Sequence, residues 1–78
     1  MVYCKLIEKT KDKALYQYGG LYNDLTGILE IDAKNETIKI IQEAQQSITF
    51  VRHIQSLYNK YKEDFKKGIF KDQIAYEI

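Results

Sequence analysis

Residues 19–27 read GGLYNDLTG, and the fold turns on what this stretch connects. A phosphate-cradling glycine loop follows a strand and opens a helix. It carries either a G-x-G-x-x-G spacing or a Lys-Ser/Thr pair, so that backbone N–H groups and a cation converge on the anion. Neither spacing is present here, and the residues after Gly27 are ILEID, which alternate as a strand does. The stretch therefore reads as a hairpin loop. Gly19 and Gly20 are expected to supply a positive φ or a bulge, and Gly27 to let another group pack closely against its strand. Leu21 and Tyr22 either fold back as a plug onto the helix end or stand out as an anchor at the loop tip, and the plug is favoured.

Working outward, the flanking segments keep the two-residue alternation of strands. VYCKLIEK (2–9), ALYQYG (14–19), LTGILEID (25–32) and ETIKIIQE (36–43) all show it. Short polar connections join them: Thr10-Lys11-Asp12-Lys13 reads as a tight turn, and Asp32-Ala33-Lys34-Asn35-Glu36 as a hairpin. In the latter, Asp suits the turn start and Asn tolerates the left-handed conformation needed near its end. Four consecutive strands with such short links imply an antiparallel meander, because parallel pairs require long crossovers.

From Ser47 the pattern changes to that of a helix. Leu57, Phe50, Tyr61, Ile54, Phe65, Tyr58 and Val51 fall within one arc about 120° wide, with Arg52, Gln55, Asn59, Lys60, Lys62, Glu63, Lys66 and Lys67 opposite. Ser47 suits the N-cap, Lys66 and Lys67 suit the C-terminal end of the dipole, and Gly68 suits the position just past it. A helix is expected over about 48–67. The tail 69–78, IFKDQIAYEI, fits either a strand or a helix, and an extended segment docking Phe70 and Tyr76 is favoured. The fold class is thus α+β, one domain over residues 1–78: a four-stranded antiparallel β-meander with one C-terminal amphipathic helix packed on one face.

Composition limits the function classes. A chain of 78 residues buries only about 60–65% of its unfolded surface, so its core is small. Net charge is +1, which gives no global attraction to nucleic acid or anionic lipid. No apolar run reaches the length of a membrane span, and the single cysteine, Cys4, rules out an intramolecular disulfide. A cytoplasmic location is expected on that basis. Eleven Lys and eleven Ile against one Arg and no Pro suggest an AT-rich bacterial or phage genome.

No catalytic, metal or cofactor site is expected. His53 and Asp64 lie too far apart along one helix to touch, Cys4 belongs to an inward-facing set, and no ligand spacing for a metal exists. Glu30 and Asp32 are the one close carboxylate pair on a strand face, and they point outward. The best lead is the outer face of the sheet. If Val2, Cys4, Leu6, Leu15, Leu29, Ile31, Ile38 and Ile40 face the helix, then Tyr3, Ile7, Tyr16, Tyr18, Ile28 and Ile41 face away. Such a patch of Tyr and Ile usually marks an interface. Tyr3, Tyr16, Tyr18, Ile28, Ile41, Leu21 and Tyr22 are therefore the candidate partner-binding residues of a non-enzymatic protein-interaction module, with a homodimer expected. The alternative is nucleic-acid binding through Arg52, Lys60, Lys62, Lys66 and Lys67 on the outer helix face.

Overall fold

The computed structural model describes residues 1–20, 24–45 and 51–77. The expected loop residues Leu21 and Tyr22, the expected N-cap Ser47, the start of the helix with Phe50, and Ile78 lie outside them. The elements run β1 (Val2–Lys9), β2 (Lys13–Gly19), β3 (Gly27–Asp32), β4 (Thr37–Gln42), α1 (Val51–Lys66) and β5 (Gln73–Tyr76). All neighbouring strands are antiparallel, and they line up as β4-β3-β2-β1-β5 with α1 against one face.

The expected four-stranded meander is present, and the tail adds a fifth strand beside β1. Within the tail, Gln73–Tyr76 is extended as expected, with Phe70 buried and Tyr76 packed at the core margin. Their pairing with β1 is a contact between the two ends of the chain, which no local pattern announces. It sets Val2 opposite Tyr76, Tyr3 opposite Ala75 and Cys4 opposite Ile74.

The hairpins follow from their turn residues. Asp32 accepts from the Asn35 N–H at 3.1 Å and from Asn35 Nδ2 at 2.8 Å, closing the β3–β4 turn. The left-handed residue there is Glu36, at φ 55°, rather than the expected Asn35, because Asn35 spends its side chain on Asp32. Gly19 and Gly20 have no positive φ, contrary to expectation. Gly19 ends β2 in regular register with Tyr3. Gly27 does serve close packing: a Cβ there would enter the Tyr18 ring and come within 2.8 Å of the Ala44 nitrogen.

At its C-terminus α1 ends on Gly68, φ 76°. The Ile69 N–H reaches back to the Asp64 carbonyl at 2.9 Å and the Gly68 N–H to that of Phe65 at 3.0 Å, a Schellman cap. Ile54, Leu57, Tyr58 and Phe65 form its buried face, and Phe65 packs on Phe70 at 5.7 Å between centroids. Val51, placed in the apolar arc by its spacing, is 73% exposed. It is the first described residue of the helix.

The larger correction concerns β2. Its register sets Tyr16 opposite Leu6 and Leu29, and Tyr18 opposite Cys4 and Gly27. Residues directly opposite share a face, so both tyrosines point toward the helix and are buried, while Leu15 points away. The expectation that Tyr16 and Tyr18 face outward with Leu15 inward is therefore inverted by one residue. Two aromatic rings bury far more apolar surface than one leucine, provided the hydroxyls find partners. They do. Tyr16 Oη donates to the Lys71 carbonyl at 2.8 Å, tying the segment before β5 to the sheet. Tyr18 receives a backbone hydrogen bond from Ala44.

Candidate functional site

The corrected register changes what the outer face offers. Its rows read Gln42–Ile28–Gln17–Lys5–Gln73 and Lys39–Glu30–Leu15–Glu8. Ile28 and Leu15 are half-buried, and each has polar or charged side chains on both flanks, so no continuous apolar stripe crosses the face. Tyr3 is half-buried beside Gly19 and Ala75, and its hydroxyl donates to the Met1 sulfur at 3.2 Å. Of the expected partner-binding residues, Tyr16 and Tyr18 are thus core residues. Tyr3 and Ile28 stand apart on different strands, and Ile41 remains prominent at 52% exposure.

Ile41 is exposed for a structural reason. Leu29 pairs with Ile40 and Ile28 with Gln42, which leaves Ile41 as the extra residue of a bulge in β4. Ile7, 48% exposed, occupies the equivalent place in β1, between Leu6 and Glu8.

The two margins of the sheet differ in what their backbones meet. The Ala33 N–H donates to the Asp12 carbonyl at 2.8 Å, continuing the β2–β3 register. Alternate residues of an antiparallel strand bond to opposite neighbours. Leu29 and Ile31 therefore bond toward β2, while Ile28, Glu30 and Asp32 bond toward β4. Along β4, Thr37, Lys39 and Gln42 turn their backbone groups to β3, and Ile38 and Ile40 turn theirs outward. No group among the described residues meets them. Their side chains, by contrast, lie on the inner face at the core margin.

On the other margin, the Leu6 N–H donates to the Asp72 carbonyl at 2.7 Å. By the same alternation Gln73 and Ala75 turn outward from β5. Ala75 is closed by the helix: its N–H donates to Tyr61 Oη at 3.3 Å, and its carbonyl accepts from Tyr61 Oη at 3.3 Å and from Lys60 Nζ at 3.0 Å. Nothing in the periodicity of either segment could have revealed this contrast, because it depends on which strands end the sheet.

The cations proposed for nucleic acid are partly engaged within the chain. Lys60 serves Ala75 and also lies 5.3 Å from the Tyr61 ring, and Lys66 pairs with Glu36 at 3.2 Å. Lys62 is half-buried, while Arg52 and Lys67 are exposed. They share a helix face without forming a groove.

Of the titratable groups considered for catalysis, Cys4 is buried and His53 half-buried. Burial pushes the Cys4 thiol up to about 12, so the nucleophilic thiolate is not formed near neutrality. His53 lies 6.4 Å from the Tyr76 ring. Its imidazole is held below the ordinary value by desolvation, then by the N-terminal ammonium and Arg52. Asp32 is held below the usual carboxylate range by its bonds from Asn35. Among the described residues no three His, Cys, Asp or Glu side chains converge as metal ligands, and no helix is long and apolar enough to cross a membrane. A hollow of about 130 Å³ opens near the β1–β2 turn, lined by Glu8, Lys13, Leu15 and Glu30 among others, and its walls are those of a solvated sheet face. No family model matches the chain, and no curated protein or solved structure matches it either.

Proposed function

We propose that this chain is a non-enzymatic protein-interaction module whose contact element is the outer edge of β4. The observation that carries the reading is the row of outward backbone groups at Ile38 and Ile40, which meet nothing among the described residues. Unmatched N–H and C=O groups on a straight edge are a template for another extended strand. Beside them Ile41 offers an exposed apolar side chain. The outer sheet face, with its mixed rows, contributes only the rim of such a contact.

Proline tests this directly, because it removes a donor and is tolerated where a strand's N–H faces solvent. Ile38→Pro should abolish association of the chain with any protein while leaving the β3–β4 ladder formed. Ile38→Ala loses the same side-chain packing but keeps the donor, and should still associate, weakened only by the packing it gives up. Association that survives Ile38→Pro in a folded chain contradicts the reading.

A further inference from the structure

We propose that the strand received by β4 is β4 of a second copy, joined about a two-fold axis at Lys39 into one continuous antiparallel sheet. This rests on the reading of β4 as the contact edge and names its occupant.

Three features select a second copy. The first is the length of regular edge. β4 is straight only between the left-handed Glu36 and the bulge at Ile41. A long foreign strand would overrun both ends, whereas a second β4 carries the same short window. Centring the axis on Lys39 superposes the two windows. Ile38 then exchanges N–H and C=O with Ile40 of the second copy, and Ile40 with its Ile38.

The second feature is side-chain matching. That register brings the half-buried Ile38 and Ile40 of each copy together on the inner face and extends the core across the seam. On the outer face it sets Lys39 opposite its twin. Each lysine lies in register with Glu30 of its own sheet, so the row across the seam reads Glu30–Lys39–Lys39–Glu30, with no net charge. The central like-charge pair weakens the contact and keeps it reversible.

The third is closure. A sheet open at both edges could pair β4 on β5 without limit and grow into a fibre. Here Tyr61 and Lys60 hold both backbone groups of Ala75. With Ala75 held, β5 offers a second strand only Gln73, so β4 finds a two-residue edge only in another β4, and assembly is expected to stop at two copies.

The test is molar mass by light scattering across a wide concentration range, on wild type, Ile38→Pro, Ile38→Ala and Lys39→Thr, with circular dichroism to verify folding. The wild-type mass should rise from 9.2 kDa toward twice that value with concentration. Ile38→Pro should stay at one chain, and Lys39→Thr should dimerise about two- to fivefold more tightly, the size of one relieved cross-strand repulsion. Wild type at one chain throughout overturns the second copy and leaves β4 as an edge for another protein. A dimer that survives Ile38→Pro overturns the edge itself, and the proposed function with it. Should Ile38→Pro fail to fold, Lys39→Thr decides alone: an unchanged dimerisation constant overturns the register at Lys39.

Discussion

The two margins of this sheet solve one problem in different ways. At β5 the helix reaches over the edge and a reciprocal pair of hydrogen bonds between Tyr61 and Ala75, with Lys60 beside it, occupies the outward backbone of Ala75. At β4 no side chain among the described residues does this, and only Lys39 and the bulge at Ile41 moderate the edge. The contrast teaches where a small domain can afford an unmet donor. β5 is a four-residue strand made by the tail, and it needs the helix to hold it. β4 is anchored by a tight hairpin through Asp32 and Asn35, and no group among the described residues meets its outer side.

The strongest way to break the comparison is to release β5. Tyr16 lies fully buried beneath the helix and bonds the Lys71 carbonyl. Tyr16→Ala should cost about 3–5 kcal/mol, the range for emptying an aromatic site, a large share of a small domain's stability. Denaturant unfolding should show it, and Tyr16→Phe should recover most of the loss. Next in size is Gly27→Ala, where the added methyl meets the Tyr18 ring and the Ala44 backbone. Overpacking of this kind costs about 1–3 kcal/mol, and Tyr18 and Ala44 signals should shift together.

Tyr61→Phe removes both hydrogen bonds to Ala75 and keeps the ring. It should cost about 1 kcal/mol and raise the exchange rate of the Ala75 amide toward that of Ile38. With β5 thus uncovered, a β4–β5 contact becomes possible, and scattering at high concentration should show species larger than two copies.

The smallest effect is that of pH, and its sign follows from two depressed values. Asp32 is ionised more readily in the fold than in the unfolded chain, so its contribution is fully present above the ordinary carboxylate range. It is lost as pH falls through the folded-state value. His53 is protonated less readily in the fold. Stability therefore declines as pH drops below the ordinary histidine value, and levels off below the folded-state one. The melting temperature should fall in two steps on acidification, the upper absent in His53→Gln and the lower in Asp32→Asn.

How much of this was legible beforehand differs by element. The helix, its glycine cap, the β3–β4 turn at Asp32 and the close packing at Gly27 are local events, and their residues announce them. The inversion of β2 was also legible in principle. Lys13, Leu15 and Gln17 share one face, and a lysine and a glutamine flanking a single leucine mark a solvent side. Ala14, Tyr16 and Tyr18 carry no charge and form the better inner row, although the polar tip of tyrosine suits an interface as well as a core. The tail's extended form was legible, but its pairing as a fifth strand and the open edge were not. Both depend on the pairing of β5 with β1 across nearly the whole chain, and on which strand is thereby left outermost.

The central claim is that the Ile38 and Ile40 edge is open while the Ala75 edge is closed. Residue-resolved amide hydrogen exchange at high dilution tests it most directly. The expected result is fast exchange at Ile38 and Ile40, slow exchange at Ala75, and slowing of the first two alone as concentration rises. Equal protection of all three at high dilution would contradict the account.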